Sequence, residues 1–281
     1  MFRSLVKKMV LSLSILSSTF AFGRQTAVLT SHNTVVLRGV VNGESVAQTM
    51  QKIMSNPNKK IYLFISSPGG SIVDGLHLVT LLRTTNKDVT CITNFSASMA
   101  FVIMQSCKHR LVTDDGVMMQ HVASYGLNEG PLPNNHSMVG FIEAMVKSMD
   151  VMQAKRLGIS YTDFKAKTRD DWWLYGKASV RNHTADDVVS VSCSNELVNK
   201  TTTERKSVLF WTFDVTWSNC PLIGSPLKVT PVKSLFAPVK VINKKSEVSS
   251  IPAVQREYVK EFRYLQKELN WRQNILAGSH G

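Results

Sequence analysis

The chain has 281 residues, 43% of them hydrophobic, and a formal charge of +13 from 33 Lys and Arg against 20 Asp and Glu. Its length fits one sizeable core plus an appendage. Its motifs argue against three classes: there is no GxxxxGK[ST] phosphate loop, no His/Cys cluster at zinc-ligand spacing, and no nucleic-acid recognition motif.

In chain order, Arg3, Lys7 and Lys8 precede an uncharged Leu/Ser/Ile-rich stretch, 9–22, that ends in Ala21-Phe22-Gly23. This is the composition of a cleavable secretory signal, residues 1–23, and its serines interrupt it too often for a retained membrane helix. Export to the periplasm or the exterior is therefore expected, and an oxidising compartment favours disulfides. The four cysteines allow three pairings, of which Cys91 with Cys107 and Cys193 with Cys220 is preferred. Loss of the three leader cations lowers the charge to +10, and residues 221–281 supply +6 of it, from ten Lys or Arg against four Glu. An anionic membrane surface or an acidic partner suits such a tail, a solvated basic face with no dedicated partner is the simpler reading, and nucleic acid is not expected.

Residues 34–41 read as a strand interrupted by Gly39, and 44–54 as a helix with Val46, Met50, Ile53 and Met54 at helical spacing. Ile61-Tyr62-Leu63-Phe64-Ile65 is a continuous apolar run, the pattern of a strand buried on both faces, and it leads into Ser66-Ser67-Pro68-Gly69-Gly70. A helix over 71–83, a strand over 88–93, a helix over 97–107 and strands over 110–113 and 117–120 follow. Strands alternating with helices predict an α/β sheet with crossover connections. A loop at 123–135 precedes a long helix, 136–157, whose Met stripe suits core or subunit packing, and a short helix ends at Thr168. Residues 188–193 and 208–217 read as the two strands of an appended hairpin, 222–251 as an extended linker, and 252–276 as a basic amphipathic helix. The last packs on its own domain, on another subunit or on a membrane surface.

Chemistry concentrates at Asn94-Phe95-Ser96-Ala97-Ser98-Met99-Ala100, where one apolar run stops and another begins. Placed in the first turn of the 97–107 helix, Ser98 is either a helix cap or a nucleophile facing free amides. A nucleophilic serine needs a base, and among seven histidines only His121 sits where a buried strand meets a loop; a structural histidine is the alternative. Asp170 and Asp171 beside Trp172 and Trp173 are unusual, though a helix cap explains them equally well.

Four segments, 65–70, 96–100, 117–121 and 171–174, resemble in order the motifs of the Clp protease proteolytic subunit family. The resemblance covers roughly 34–187 and implies the crotonase-like spiral of ββα units. It implies Ser98 as nucleophile, His121 as general base, Asp171 rather than Asp170 as the orienting acid, and the Gly70 and Met99 amides as the oxyanion hole. It also implies a homo-oligomer, peptide or protein substrates, and chemistry without metal or cofactor. Ala100 in place of Gly, Asn94-Phe95 in place of Gly-Gln, and Val122-Ala123 after His121 in place of Gln-Pro depart from the family pattern. An exported chain is not expected to work with a cytoplasmic ATP-driven unfoldase.

The expected organisation is a signal at 1–23, a Clp-like serine endopeptidase domain at 24–190, a β-hairpin extension at 191–221, and a basic linker with an amphipathic helix at 222–281. The alternatives are a hydrolase with a serine and lysine dyad, of signal-peptide-peptidase type, and an inactive scaffold that binds a partner or membrane.

Overall fold

The computed structural model describes residues 25–124, 132–208 and 211–232. The expected leader, most of the expected loop after His121, most of the expected linker and the expected C-terminal helix lie outside the described residues.

The centre is a seven-stranded, mostly parallel sheet in the order β1-β7-β5-β4-β3-β2, with β6 paired to β5. Its strands are β1 (Gln25–Leu29), β2 (Thr34–Val41), β3 (Lys60–Gly70), β4 (Asp88–Ala97), β5 (His109–Gln120), β6 (Trp172–Tyr175) and β7 (Asp187–Cys193). Ile61, Leu63, Ile65, Val89 and Cys91 point to one face, where they meet the helices α1 (Gly43–Ser55), α2 (Ile72–Thr84) and α3 (Met99–Gln105). Phe64, Ile92, Leu111 and Val189 point to the other face, closed by Leu29, by Leu197 of α7 (Asn195–Val198) and by Cys220. Burial on both faces is why these strands read as unbroken apolar runs.

Local chemistry sets the helix starts. The Asn42 side chain accepts from the Ser45 amide while Ser45 Oγ accepts from the Asn42 amide, a capping box for α1. Ser71 and Ser160 cap α2 and α5 (Tyr161–Thr168) through the amides of Asp74 and Asp163. The long helix α4 (Leu132–Leu157) packs Ala154 and Leu157 against Phe164 of α5, and the short α6 (Lys177–Arg181) leads into β7. Among the described residues, no helix is long and apolar enough to cross a membrane.

Several expectations need correction. The two strands expected at 110–113 and 117–120 are one strand, β5, with extra residues 113–116 inserted opposite Asn94 of β4. Its first half pairs in parallel with β7 and its second half antiparallel with β6. Residues 188–193 are not half of a hairpin: they form β7, held between β1 and β5, and the boundary expected at 190 falls within that strand. The appended hairpin is instead β8 (Thr201–Val208) with β9 (Trp211–Ser218), and the linker contributes a third strand, β10 (Lys228–Val232), antiparallel to β9.

Both disulfides are those expected, Cys91–Cys107 and Cys193–Cys220, with Cα atoms 5.9 and 5.8 Å apart. The second ties the end of β7 to the segment after β9. Arg38 of β2 reinforces that attachment: it donates to the Pro221 and Ile223 carbonyls and lies 4.9 Å from the Trp217 ring centroid. Burial lowers the Arg38 guanidinium from its ordinary value, with the Glu204 carboxylate opposing.

Candidate active site

Strand β4 continues to Ala97 and α3 begins at Met99, leaving Ser98 alone at the corner. It is therefore the residue before the helix, not part of its first turn. Its amide still donates to the Met119 carbonyl of β5 and its carbonyl already accepts from the Val102 amide, so strand and helix share this one residue. To serve both, its backbone takes φ 55 and ψ −121, a conformation costly for any residue with a Cβ. The Ser98 side chain makes no capping bond. Its Oγ instead stands 2.8 Å from His121 Nε2.

The turn at the end of β3 is pressed against that corner. A Cβ on Gly69 would lie 2.6 Å from the Ala97 carbonyl oxygen and 2.8 Å from both the Met99 nitrogen and Ser98 Cβ, and Gly69 has φ +95. Only glycine fits. Gly70, at φ +146, pairs with Val41 in the sheet. Gly70, Ser98, Met99 and His121 line one cleft, together with Gln120 and Met149.

The third expected member stands differently. The ladder of β5 and β6 ends at Gln120 and Trp172, and His121 and Asp171 are the next residues beyond it on either side. Asp171 is exposed at φ 57 and, among the described residues, makes no hydrogen bond or ion pair with His121. Asp170 pairs with its neighbour Arg169 in solvent.

Two residues that the sequence reading passed over lie beneath the cleft. Gln120 and Gln153 are 3% and 0% exposed. Gln120 Oε1 accepts from the His121 amide at 3.1 Å, Gln120 Nε2 donates to Gln153 Oε1 at 2.5 Å, and Gln153 Nε2 donates to the Met149 carbonyl at 3.3 Å. The signal was a lone amide closing the apolar strand 117–120. One helical turn before Gln153, Asp150 is also buried; burial pushes its carboxyl up from the ordinary value, with Lys165 opposing. Among the described residues, no cluster of three or more His, Cys, Asp or Glu side chains is placed to hold a metal ion.

The Clp protease family model matches residues 22–192. The ATP-dependent Clp protease proteolytic subunit 2 of Bifidobacterium longum (strain NCC 2705) is 25% identical over 147 residues, covering 51% of this chain and 70% of that protein. The ATP-dependent Clp protease proteolytic subunit of Leuconostoc citreum (strain KM20) is 25% identical over 153 residues, covering 52% of this chain and 76% of that protein.

Proposed function

The chain belongs to the Clp protease family, and on that premise we propose that it is an exported serine endopeptidase with Ser98 as nucleophile and His121 as general base. One observation carries the reading: at a strained strand-to-helix corner, an uncapped serine hydroxyl faces an imidazole nitrogen at 2.8 Å. His121 Nε2 takes the Ser98 proton as Oγ attacks the peptide carbonyl. The Gly70 and Met99 amides hold the resulting oxyanion, supported by their place beside Ser98 in the cleft. His121 then gives its proton to the leaving amine, and water releases the acyl-enzyme by the same steps in reverse. Asp171 orients the imidazole, supported by its place next to Trp172, the strand partner of the residue before His121.

The same reading has the chain exported, self-associating and acting on peptide or protein substrates, with the basic tail directed to an anionic membrane surface or an acidic partner. Ser98 Oγ meets an imidazole and, among the described residues, no lysine amine, which favours a histidine base over a lysine one.

Replacing Ser98 with Ala is expected to abolish covalent labelling by a fluorophosphonate, read by intact mass; unchanged labelling would refute the nucleophile assignment. The exposed Asp171, without a bond to His121, favours one second reading, an inactive scaffold that binds a partner. Absence of labelling in the wild-type chain would favour that reading.

A further inference from the structure

We infer that Gln120 and Gln153 are positioning residues for the base, fixing the main chain at His121 where the sheet ceases to do so. The inference rests on the reading of Ser98 and His121 as a reacting pair. The ladder between β5 and β6 ends at Gln120 and Trp172, so His121 stands one residue beyond its last pair. Its amide turns instead to the side chain of the residue before it, Gln120 Oε1 at 3.1 Å. A bond between neighbours holds nothing in place unless the acceptor is itself anchored. Gln153 of α4 supplies the anchor, accepting from Gln120 Nε2 at 2.5 Å and donating to the Met149 carbonyl at 3.3 Å.

The chain of donors runs one way, from the His121 N–H through two carboxamides to a helix carbonyl. Each amide donates to the next acceptor in line, and reversing either one would set two like groups against each other, so both orientations are determined by the network. Both side chains are almost wholly buried, and Gln120 lines the cleft together with Met149, whose carbonyl Gln153 bonds. Apolar side chains of similar size would fill that space without burying polar groups, so filling the space does not explain the amides. Among the described residues, the side-chain hydrogen bonds of the two glutamines reach only each other, the His121 amide and the Met149 carbonyl. The bond from Gln120 to Gln153 ties the end of β5 to the last turns of α4.

Catalysis is sensitive to this because the His121 ring must stay at hydrogen-bond distance from Ser98 Oγ, and a displacement of about 1 Å costs on the order of a hundredfold in rate. The test uses the full-length chain, with Gln153→Leu alone and with Gln120→Leu/Gln153→Leu together. The single variant strands the Gln120 amide, whereas the double variant removes both polar partners and retains the fold. Three quantities are measured: exchange of the His121 amide proton by NMR, kinact and KI for a fluorophosphonate, and the thermal midpoint.

In both variants we expect His121 exchange to quicken, kinact to fall roughly tenfold and KI to stay unchanged. The thermal midpoint of the double variant should return towards wild type while its kinact does not. Wild-type exchange and kinact in the double variant would overturn the assignment, since a purely structural pair would then explain everything. Should the single variant fail to fold, the double variant decides alone. Should the wild-type chain take no label, the Ser98 reading fails, and His121 exchange still decides whether the glutamines hold the main chain.

Discussion

The seven-stranded sheet and the three-stranded sheet are held in opposite ways. The first is fixed by burial: Leu63, Ile65, Phe64 and Ile92 are fully buried on its two faces, and α3 is buried along its whole length. In the second, no described hydrophobic side chain within β8, β9 or β10 is fully buried, and its pairs, Thr203 with Thr216 and Arg205 with Asp214, lie in solvent. It is held to the core at points: the Cys193–Cys220 disulfide, Arg38 against Trp217 and the nearby carbonyls, and the Lys206–Glu44 ion pair. Close packing over a whole surface leaves each residue few alternative positions, whereas point attachment leaves a hinge at every point. The pair proposed to react needs sub-ångström placement, and Ser98 and His121 each directly follow a strand of the first sheet.

The comparison predicts unequal responses. Gly69→Ala should have the largest effect, because the new Cβ meets backbone at Ala97 and Met99 rather than a side chain that can move aside. A loss of about 3 kcal/mol in chemical unfolding and of more than about a hundredfold in fluorophosphonate labelling is expected. A variant that labels at the wild-type rate would show that the corner does not depend on this contact.

The two disulfides come next. They span 16 and 27 residues, and loop entropy assigns about 3 kcal/mol to either. Their effects on labelling should nevertheless separate. Cys91→Ala/Cys107→Ala frees the end of α3 from β4 and should slow labelling as well as lower the thermal midpoint. Cys193→Ala/Cys220→Ala should lower the midpoint and leave the labelling rate unchanged at a temperature where the chain is folded. Equal loss of labelling in both would break the division between the two sheets.

The smallest expected difference is between two carboxylates. Burial pushes the Asp186 carboxyl up, but hydrogen bonds and charge from Arg110, with Arg156 adding, outweigh it and hold the group below its ordinary value of 3.8. A depressed native value contributes stability above pH 3.8 that is lost as pH falls through the lower native value. Asp186→Asn should therefore be less stable than wild type at pH 7, and the two should converge in acid. Asp214 is also held down by its partner Arg205, first through their hydrogen bonds, but on a partly exposed surface strand. Asp214→Asn should change stability too little to measure. Thermal midpoints from pH 2 to 7 would decide both.

The core was legible because burial on both faces writes itself as a continuous run, as at 61–65. Partner choice was not. The stretch Val188 to Cys193 has the composition of any strand, and nothing local distinguishes pairing between β1 and β5 from pairing with a hairpin partner; tertiary contacts decided it. The strands β1 and β10 escaped notice because each is short and lies at the edge of its sheet, and Pro231 sits within β10. At the site, Ser98 and His121 could be picked out by residue type and motif. The backbone of Ser98 could not, because its strain arises only where strand and helix compete for one residue. Gln120 was visible as an odd amide in an apolar strand, but its partner lies 33 residues away on a helix.

The positive φ of Ser98 also bears on how such a chain would age under selection. Glycine adopts that conformation without cost, so selection for stability alone drives the position from serine toward glycine. Only a continuing demand for the hydroxyl opposes that drift. A lineage that no longer needed the hydroxyl would gain stability by discarding it, and the fold would outlive the chemistry.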